Sequence, residues 1–510
     1  MQTNVLSYLE ETARRYPEKI AFSSPDAQMT FRELAVKARA VGSGIAAQVP
    51  PRTPVAVYMD KSVDAIVAFM GIAYAGCFYS FLERSMPAAR LNTILQTLRP
   101  GVVITNAACE KNAAKLETGC GILDIAALQG VQEDGAALER VRRGATDMDP
   151  LYCNFTSGST GTPKGVLVGH RSVIDFIDQF TELFGITKDD VMGNQAPLDF
   201  DVSVKDIYSG LKTGAEVVLI PKSYFTFQAN LLDLLAGKKV TTLVWAVSAL
   251  CLISTMDGLG YKKPAHIKKA LFSGEVMPPQ HLSYWRRHYP DGLFVNLYGP
   301  TEITCNCTYH IIDKEYGPME TMPIGVPFPN ERVFLLDDNQ RMVTEAGVEG
   351  EICVAGSALS LGYYRDPQRT REAFMQNPAN DTHMELIYRT GDMAYYGKDG
   401  LLYFVGRRDL QIKHHGRRIE LGEIEAAVST GQGVRRACAI YMDVEERIVC
   451  FYVGEAKPEE LKRFLKGLLP DYMIPEELIP VEVLPLTNNG KLDRSALKAQ
   501  WRGAREKREK

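Results

Sequence analysis

The feature that most constrains the fold is a repeated alternation of short β-rich apolar runs with longer helix-like stretches. Such alternation is typical of parallel sheets whose faces are covered by helices. The runs that predict strands are Val55–Met59, Val102–Thr105, Glu216–Ile220, Thr242–Ala246, Lys269–Phe272 and Leu293–Tyr298. The stretches that predict helices are Thr30–Ala47, Val63–Tyr74, Arg171–Phe184 and Asn230–Ala236. The sequence therefore predicts an α/β fold over most of the chain.

The pattern changes twice toward the C-terminus. After about Pro329, closely spaced strand-like runs separated by turn signals predict an antiparallel, barrel-like subdomain over about 329–407; these runs are Arg332–Leu336, Glu351–Ala355 and Leu402–Val405. After Arg407, a hairpin signal and a helical stretch predict a small α+β unit; they are Ala439–Tyr441, Ile448–Val453 and Pro458–Leu468. Because 510 residues exceed one ordinary core, we expect a core domain over 1–407 and a small domain over 408–510.

Composition excludes several classes of function. The chain is 24% charged with a net charge of −4, so nothing predicts a nucleic acid as the main partner. No apolar stretch is long enough to insert into a membrane, and the polar N-terminus has no signal-peptide core. We therefore expect a cytoplasmic protein, and we expect it to be a monomer.

The segment Thr156–Gly165 reads Thr-Ser-Gly-Ser-Thr-Gly-Thr-Pro-Lys-Gly and predicts a phosphate-binding loop. Its glycines let the backbone turn tightly, so that several N–H groups converge on one anion. Hydroxyl groups and the ammonium of Lys164 add further donors for a triphosphate. The spacing is not that of a Walker A loop, because Gly158 and Gly161 are too close together and Gly165 follows the lysine.

This loop resembles the phosphate loop of the ANL superfamily of adenylate-forming enzymes. Five further motifs follow in that superfamily's order and, with the loop, cover essentially the whole chain: Asn296-Leu-Tyr-Gly-Pro-Thr-Glu302, Tyr388-Arg-Thr-Gly-Asp392, Gly406-Arg-Arg-Asp409, the run from Gln411 to Glu425, and Asn489-Gly-Lys491-Leu-Asp-Arg494. The resemblance is to adenylation domains of nonribosomal peptide synthetases in particular. It implies two helix-covered sheets and a small β-barrel, followed by a mobile C-terminal lid with its hinge at Asp409.

The resemblance also implies roles for individual residues. Thr301 would bond the α-phosphate, Glu302 would bind Mg²⁺, and Asp392 would accept the ribose hydroxyls. Lys491 would stabilise the charge of the adenylation transition state, and Gly416 would line a tunnel for a pantetheine thiol. The full set of implied ATP contacts is Thr156, Ser157, Gly158, Ser159, Thr160, Gly161, Lys164, Asn296, Tyr298, Gly299, Thr301, Asp392 and Arg407.

The segment Pro197–Tyr208 resembles the one that begins the substrate pocket, and Asp201 stands where amino-acid activators bind the substrate α-ammonium. The remaining implied pocket residues are Val202, Lys205, Ala249, Leu271, Ser273, Leu297, Cys305 and Asn306. They resemble pockets for a small amino acid such as serine or alanine, and the chain is also similar to D-alanine–D-alanyl carrier protein ligase. Lys205 is unusual there. It needs an acidic substrate side chain or a nearby carboxylate such as Asp206, unless it extends to solvent.

These features predict an enzyme that adenylates an amino acid with ATP and Mg²⁺ and then transfers it to the phosphopantetheine of a holo-carrier protein. The chain stops soon after Lys491 and has no Gly-Gly-x-Ser carrier motif, so the carrier is expected to act in trans. Two alternatives stay open: an acyl- or aryl-CoA ligase, against which Asp201 argues, and a non-catalytic nucleotide-binding scaffold. The presence of Lys164, Glu302, Asp392 and Lys491 argues against the scaffold.

Replacing Lys491 with alanine should slow adenylate formation by about 100-fold or more, because a preorganised positive charge at the transition state is lost. Transfer of a preformed adenylate to the thiol should change far less. ATP–pyrophosphate exchange and single-turnover transfer from the synthetic adenylate measure the two steps. Equal losses in both would contradict the role assigned to Lys491.

Overall fold

The structure is a computed structural model that describes residues 2–158, 162–317, 320–408, 411–486 and 492–506. The described chain divides into two compact units. The first comprises Met1–Arg84, Leu98–Asn154 and Gly165–Arg408; the second comprises Ser85–Thr97, Phe155–Lys164 and Asp409–Lys510. The predicted division at 407/408 stays a prediction, since the second unit also takes in two earlier segments.

The N-terminal part of the chain alternates helices and strands: α1 Leu6–Arg15, β1 Ile20–Ser23, β2 Gln28–Thr30, α2 Phe31–Ala46, β3 Pro54–Tyr58, α3 Val63–Tyr74, β4 Phe78–Phe81, α4 Ala88–Leu98, β5 Val102–Thr105, α5 Glu110–Ala113, β6 Gly121–Asp124, α6 Ile125–Gln129 and α7 Gly135–Gly144. Helix α2 begins at a capping box, in which the Thr30 hydroxyl accepts from the Glu33 N–H and the Glu33 carboxylate accepts from the Thr30 N–H. Helix α3 is buried on nearly all faces, which fits its almost uniformly apolar sequence.

The alternation continues through the middle of the chain: β7 Pro150–Thr156, β8 Lys164–Gly169, α8 His170–Leu183, β9 Val191–Asn194, α9 Ser203–Thr213, β10 Glu216–Leu219, α10 Lys222–Thr226, α11 Gln228–Gly237, β11 Thr242–Ala246, α12 Val247–Thr255, α13 Gly258–Tyr261, β12 Lys269–Ser273, α14 Pro279–His288, β13 Leu293–Tyr298, a 3₁₀ turn Thr301–Ile303, β14 Thr308–Ile311 and β15 Val326–Pro327. The six predicted strands correspond to β3, β5, β10, β11, β12 and β13.

These strands build two largely parallel sheets in the described residues. One has the order β15-β14-β13-β12-β11-β9-β10-β1-β2 and is parallel from β13 to β1, with antiparallel strands at its edges. The other has the order β6-β5-β3-β4-β7-β8, with parallel pairing from β6 to β7. The predicted α/β architecture is confirmed, and no described helix is long and apolar enough to cross a membrane.

The first unit ends in an antiparallel sheet, as the change of sequence pattern predicts. Its elements are β16 Glu331–Leu336, β17 Met342–Val343, β18 Glu349–Gly356, α15 Pro367–Ala373, β19 Phe374–Gln376, β20 Leu386–Tyr396 and β21 Leu402–Arg407. The longest of these strands, β20, pairs with β18, β19 and β21. Strand β20 was not predicted from the sequence pattern, although it carries the motif ending in Asp392.

The second unit contains β22 Gln411–His414, β23 Arg417–Glu420, α16 Leu421–Ser429, β24 Val434–Met442, β25 Arg447–Gly454, α17 Pro458–Leu465, a 3₁₀ turn Asp471–Met473, β26 Glu477–Pro480 and α18 Arg494–Glu506. Strands β24, β25 and β26 form one sheet, and apolar residues of α16 and α17 pack on it. The hairpin β24–β25 and helix α17 lie where the sequence predicts them. The buried side chains of Arg90 and Glu423 form an ion pair inside this unit.

The carboxylate of Asp190 joins the N-terminal ends of three parallel strands. Its Oδ1 accepts from the hydroxyls of Thr241 at 2.8 Å and Thr242 at 3.0 Å, and its Oδ2 accepts from the Lys269 Nζ at 2.9 Å and the Thr187 N–H at 2.9 Å. Burial acts to raise the pKa of Asp190, but these hydrogen bonds outweigh it and the pKa is lowered. The charged carboxylate therefore stabilises the ends of β9, β11 and β12.

Replacing Asp190 with alanine should lower the free energy of unfolding by about 3 kcal/mol at neutral pH, because it leaves buried donors without an acceptor. Since the folded-state pKa is lowered, this contribution is present above the ordinary aspartate pKa of 3.8 and is lost as the pH falls below it. Urea unfolding at pH 7 and pH 3 measures the difference. The exposed neighbour Asp189, replaced by alanine, is the matched control and should leave stability unchanged; equal effects of both variants would contradict the role of Asp190.

Candidate active site

Most of the residues predicted for the substrate pocket come together around the start of α9 in the first unit. Asp201 and Val202 directly precede this helix, and Lys205 lies in its first turn. Leu271 and Ser273 lie on one face of β12, and Ser273 pairs in register with Leu297 of β13. Ala249 lies in α12, which follows β11, and Cys305 and Asn306 lie in the loop after the 3₁₀ turn. All of these side chains are buried, none being more than 9% exposed.

Extension to solvent was one of the two predicted possibilities for Lys205, and the structure does not show it. Its side chain is fully buried, and Nζ donates to Asn306 Oδ1 at 2.8 Å and to Ser273 Oγ at 3.4 Å. Burial lowers the pKa of Lys205, while the nearby Cys305, Asp201 and Asp206 act to raise it. Three predicted pocket residues from three separate segments thus meet at one ammonium group.

The loop that carries Cys305 and Asn306 depends on a glycine. A Cβ added at Gly299 would lie 2.5 Å from Asn306 Cα and 2.7 Å from the Cys305 carbonyl oxygen. The loop itself adopts left-handed backbone at Thr304 (φ +53°) and Cys305 (φ +81°), a conformation that costs free energy in residues with a Cβ. The Cys305 thiol then donates to the Asp201 carbonyl oxygen at 2.8 Å, so this close approach joins the loop to the start of α9.

Three buried tyrosines lie close to this pocket, and none of them was predicted from the sequence as a pocket residue. Tyr79 and Tyr208 have hydroxyls 3.0 Å apart, and the rings of Tyr79 and Tyr152 lie 5.8 Å apart. Burial raises the pKa of Tyr152, and the nearby Cys305 and Asp201 raise it further. Tyr79 and Tyr152 lie in β4 and β7, far along the chain from the pocket residues, and no motif singled out in the sequence contains them.

Behind Lys205 lies a second buried acid–base group. Asp206 Oδ2 accepts from Asn194 Nδ2 at 2.7 Å, and Asn194 in turn accepts from Lys61 Nζ at 3.0 Å. Burial raises the pKa of Asp206 to about 7, although Asn194, Lys205 and Lys61 act to lower it. Burial likewise lowers the pKa of Lys61 to about 7. Burial thus disfavours the charged form of both Asp206 and Lys61.

Residues predicted to contact the nucleoside form a second cluster in the first unit. The Tyr298 hydroxyl donates to Asp392 Oδ2, and Arg407 Nη1 donates to Asp392 Oδ1 at 2.5 Å. Asp392 and Arg407 face each other across β20 and β21, and Tyr298 ends β13. Asn296, also on β13, donates to the Pro323 carbonyl oxygen at 2.9 Å. The fold thus brings Tyr298 and Arg407, which belong to two different predicted motifs, to the carboxylate of Asp392, which belongs to a third.

The 3₁₀ turn after β13 carries Thr301 and Glu302, both buried. Glu302 Oε1 accepts from the Tyr363 hydroxyl at 2.7 Å. A single buried carboxylate fits an Mg²⁺ ion whose other ligands are phosphate oxygens and water. Among the described residues, no three His, Cys, Asp or Glu side chains form a metal site of their own. The residues present therefore fit a metal that enters with the nucleotide.

Other predicted residues belong to the second unit. Thr156 ends β7, Lys164 begins β8, and the Ser157 hydroxyl donates to the Arg418 carbonyl oxygen at 2.9 Å. Gly416 (φ +74°) and His415 (φ +50°) form the two-residue turn of the β22–β23 hairpin, where left-handed backbone is the preferred geometry. Gly158 is buried. Five predicted residues lie outside the described chain: Ser159, Thr160, Gly161, Asp409 and Lys491.

Family comparisons agree with this architecture. The family model described as AMP-binding enzyme matches residues 9–364, and that described as AMP-binding enzyme C-terminal domain matches 423–491. Zwittermicin A synthase ZmaJ of Bacillus cereus is 31% identical over 513 residues, which are 98% of this chain and 95% of that protein. Bacitracin synthase 1 of Bacillus licheniformis is 34% identical over 494 residues, which are 96% of this chain and 9% of that protein.

The chain spans only 6%, 19% and 9% of three of its curated relatives, which are far longer synthases. Among solved structures, IdnL1 is 26% identical with a TM-score of 0.80, covering 94% of this chain and 99% of that one. The Vibrio cholerae adenylation domain AlmE was solved with glycyl-adenosine-5′-phosphate, and the match to it has a TM-score of 0.85. The match covers 99% of this chain and 98% of that one. At 22% identity, it shows likeness in fold.

The chain therefore belongs to the AMP-binding enzyme family, as an adenylation domain of the nonribosomal-peptide-synthetase type within the ANL superfamily. As a member of that family it is an AMP-forming ligase. The finer likeness to D-alanine–D-alanyl carrier protein ligase stays a prediction, as do the roles of the individual site residues.

Replacing Gly299 with alanine should reduce kcat/KM in amino-acid-dependent ATP–pyrophosphate exchange on the order of 100-fold, because its Cβ displaces the loop that carries Cys305 and Asn306. The matched control is Gly144→Ala, since nothing lies within 4 Å of a Cβ at Gly144. Thermal unfolding of both variants separates loss of the site from loss of the fold. A fully active Gly299→Ala enzyme would contradict the close approach.

Proposed function

We propose that the chain uses ATP to adenylate an amino acid, releases pyrophosphate, and then transfers the aminoacyl group to the phosphopantetheine thiol of a separate carrier protein. The observation that carries the proposal is the meeting of Lys205, Ser273 and Asn306 in one buried polar site beside β12 and β13, to which the Cys305 thiol joins the backbone of Asp201. Unsubstituted fatty and aryl acids offer these side chains no polar group beyond the reacting carboxylate, and unsatisfied buried polar groups are costly.

In this proposal the buried carboxylate of Asp201 binds the substrate α-ammonium. Charge pairing of this kind selects amino acids over simple carboxylic acids, because only an amino acid brings an ammonium group to this carboxylate. The hydrogen bond from the Cys305 thiol fixes the backbone of Asp201. The substrate carboxylate would then be directed to the α-phosphate of ATP.

For the nucleotide, we propose that Asp392 accepts the ribose hydroxyls, with Tyr298 and Arg407 fixing the carboxylate through the two hydrogen bonds that they donate to it. Thr301 would bond the α-phosphate, and Glu302, oriented by Tyr363, would hold Mg²⁺. A bound Mg²⁺ would supply charge neutralisation for the departing pyrophosphate. Lys491 would stabilise the adenylation transition state, and Gly416 would border the thiol path.

The substrate is proposed to be a small amino acid. The support is steric, because the Lys205 side chain reaches across to Ser273 and Asn306 and fills space that a larger substrate side chain would need. The pocket residues are almost inaccessible to solvent, which also favours a narrow site. A panel of ATP–pyrophosphate exchange reactions with the proteinogenic amino acids, D-alanine and common carboxylic acids tests this directly. Exchange with none of them would refute the proposal.

Replacing Asp201 with alanine should reduce kcat/KM for amino acids by about 30-fold or more, because the substrate ammonium loses its buried partner. The corresponding des-amino acids, which lack that ammonium, should be affected far less. Pyrophosphate exchange with each matched pair of substrates measures the ratio and provides its own control. An unchanged ratio would remove the reason for preferring amino acids over acyl substrates.

A further inference from the structure

The ammonium group of Lys205 is buried against neutral partners. Its described hydrogen-bond acceptors are the amide oxygen of Asn306 and the hydroxyl of Ser273. Among the described residues, no carboxylate forms an ion pair with its Nζ. A buried charge whose only partners are neutral is costly to the fold. Its presence in a binding site therefore indicates a ligand that supplies the missing charge.

Lys205 also retains hydrogen-bonding capacity, because an ammonium group carries three N–H donors and two oxygens engage it here. The carboxylate of Asp206 is turned toward Asn194 on the side of Lys61. Asp206 therefore does not take the remaining donor, although it was a predicted partner of Lys205.

A second unengaged polar group lies in the same region. The Tyr152 side chain is fully buried, and its hydroxyl has no hydrogen-bond partner among the described residues. The Tyr152 ring lies 5.8 Å from the Tyr79 ring, and the Tyr79 hydroxyl lies 3.0 Å from that of Tyr208, which follows Lys205 by one turn of α9. A buried hydroxyl without a partner is unusual. The region thus offers a spare O–H and a spare ammonium N–H to one ligand.

We propose that the amino acid activated at this site has a short side chain ending in a carboxylate, which Lys205 binds together with the hydroxyl of Tyr152. This inference rests on the proposed function, in which Asp201 pairs with the substrate α-ammonium. Lys205 has only neutral oxygens as hydrogen-bond partners, and a side-chain carboxylate of the substrate supplies a charged one. Because Nζ lies at Ser273 and Asn306, the aspartate side chain fits better than the longer glutamate side chain.

The first test uses the unaltered enzyme and ATP–pyrophosphate exchange with aspartate, glutamate, asparagine, aspartate β-methyl ester, serine and alanine. Aspartate and asparagine have nearly the same shape and differ in charge, as do aspartate and its ester. We expect kcat/KM for aspartate to exceed that for either neutral analogue by about 30-fold or more, the size of a buried charge pair.

The second test uses Lys205→Met, which keeps the length of the side chain and removes its charge. The aspartate-to-alanine ratio of kcat/KM should fall by about 30-fold or more. Lys212→Met is the matched control, because Lys212 lies on the same helix and bonds Thr181 and Asp178 instead. The aspartate-to-alanine ratio of kcat/KM should stay unchanged in Lys212→Met. Thermal unfolding and nucleotide binding report whether each variant is folded.

The outcomes separate the two proposals. Exchange with serine or alanine but with neither acidic amino acid would overturn this inference and leave the proposed function standing. Exchange with no amino acid would overturn the proposed function itself. A preference for aspartate that survives in Lys205→Met would overturn the assignment to Lys205.

Discussion

A backbone contact that only glycine permits sets the geometry of the candidate site. At Gly299 the loop through Cys305 and Asn306 passes so close that a methyl group would overlap its backbone. That approach carries Asn306 to the Lys205 ammonium and the Cys305 thiol to the Asp201 carbonyl. Packed backbone cannot move aside, whereas a side chain can change its rotamer. The fold therefore fixes where these groups lie.

The parallel sheet explains why these groups converge. The chain leaves β12 and β13 at the same edge, and in such sheets ligands bind outside the carboxyl ends of the strands. Ser273 and Leu297 come from adjacent strand ends, and α9 crosses beside them with Lys205 in its first turn. At the opposite ends of the strands, Asp190 holds β9, β11 and β12 together. One edge of the sheet therefore stabilises the fold, while the other presents polar groups.

Burial decides how the charges at the site behave. It lowers the pKa of Lys205 and raises the pKa of Asp206 to about 7, so each group is held in an environment that disfavours its charge. A site of this kind would discriminate among ligands by the difference in cost between a paired and an unpaired buried charge. The cluster around Asp392 differs in that its carboxylate already accepts hydrogen bonds from two donors, Tyr298 and Arg407.

The sequence by itself determined the α/β architecture, the family and the residues predicted to bind nucleotide and substrate. Local periodicity and contiguous motifs such as Asn296–Glu302 carry that information in neighbouring residues. Strand β20 escaped prediction, and its pairing with β18 joins residues 34 to 46 positions apart, which local periodicity does not report. The environment of Lys205 escaped it for the same reason, since Ser273 and Asn306 lie 68 and 101 residues further along the chain. Only the tertiary structure could decide whether that lysine met solvent, a carboxylate or two neutral oxygens.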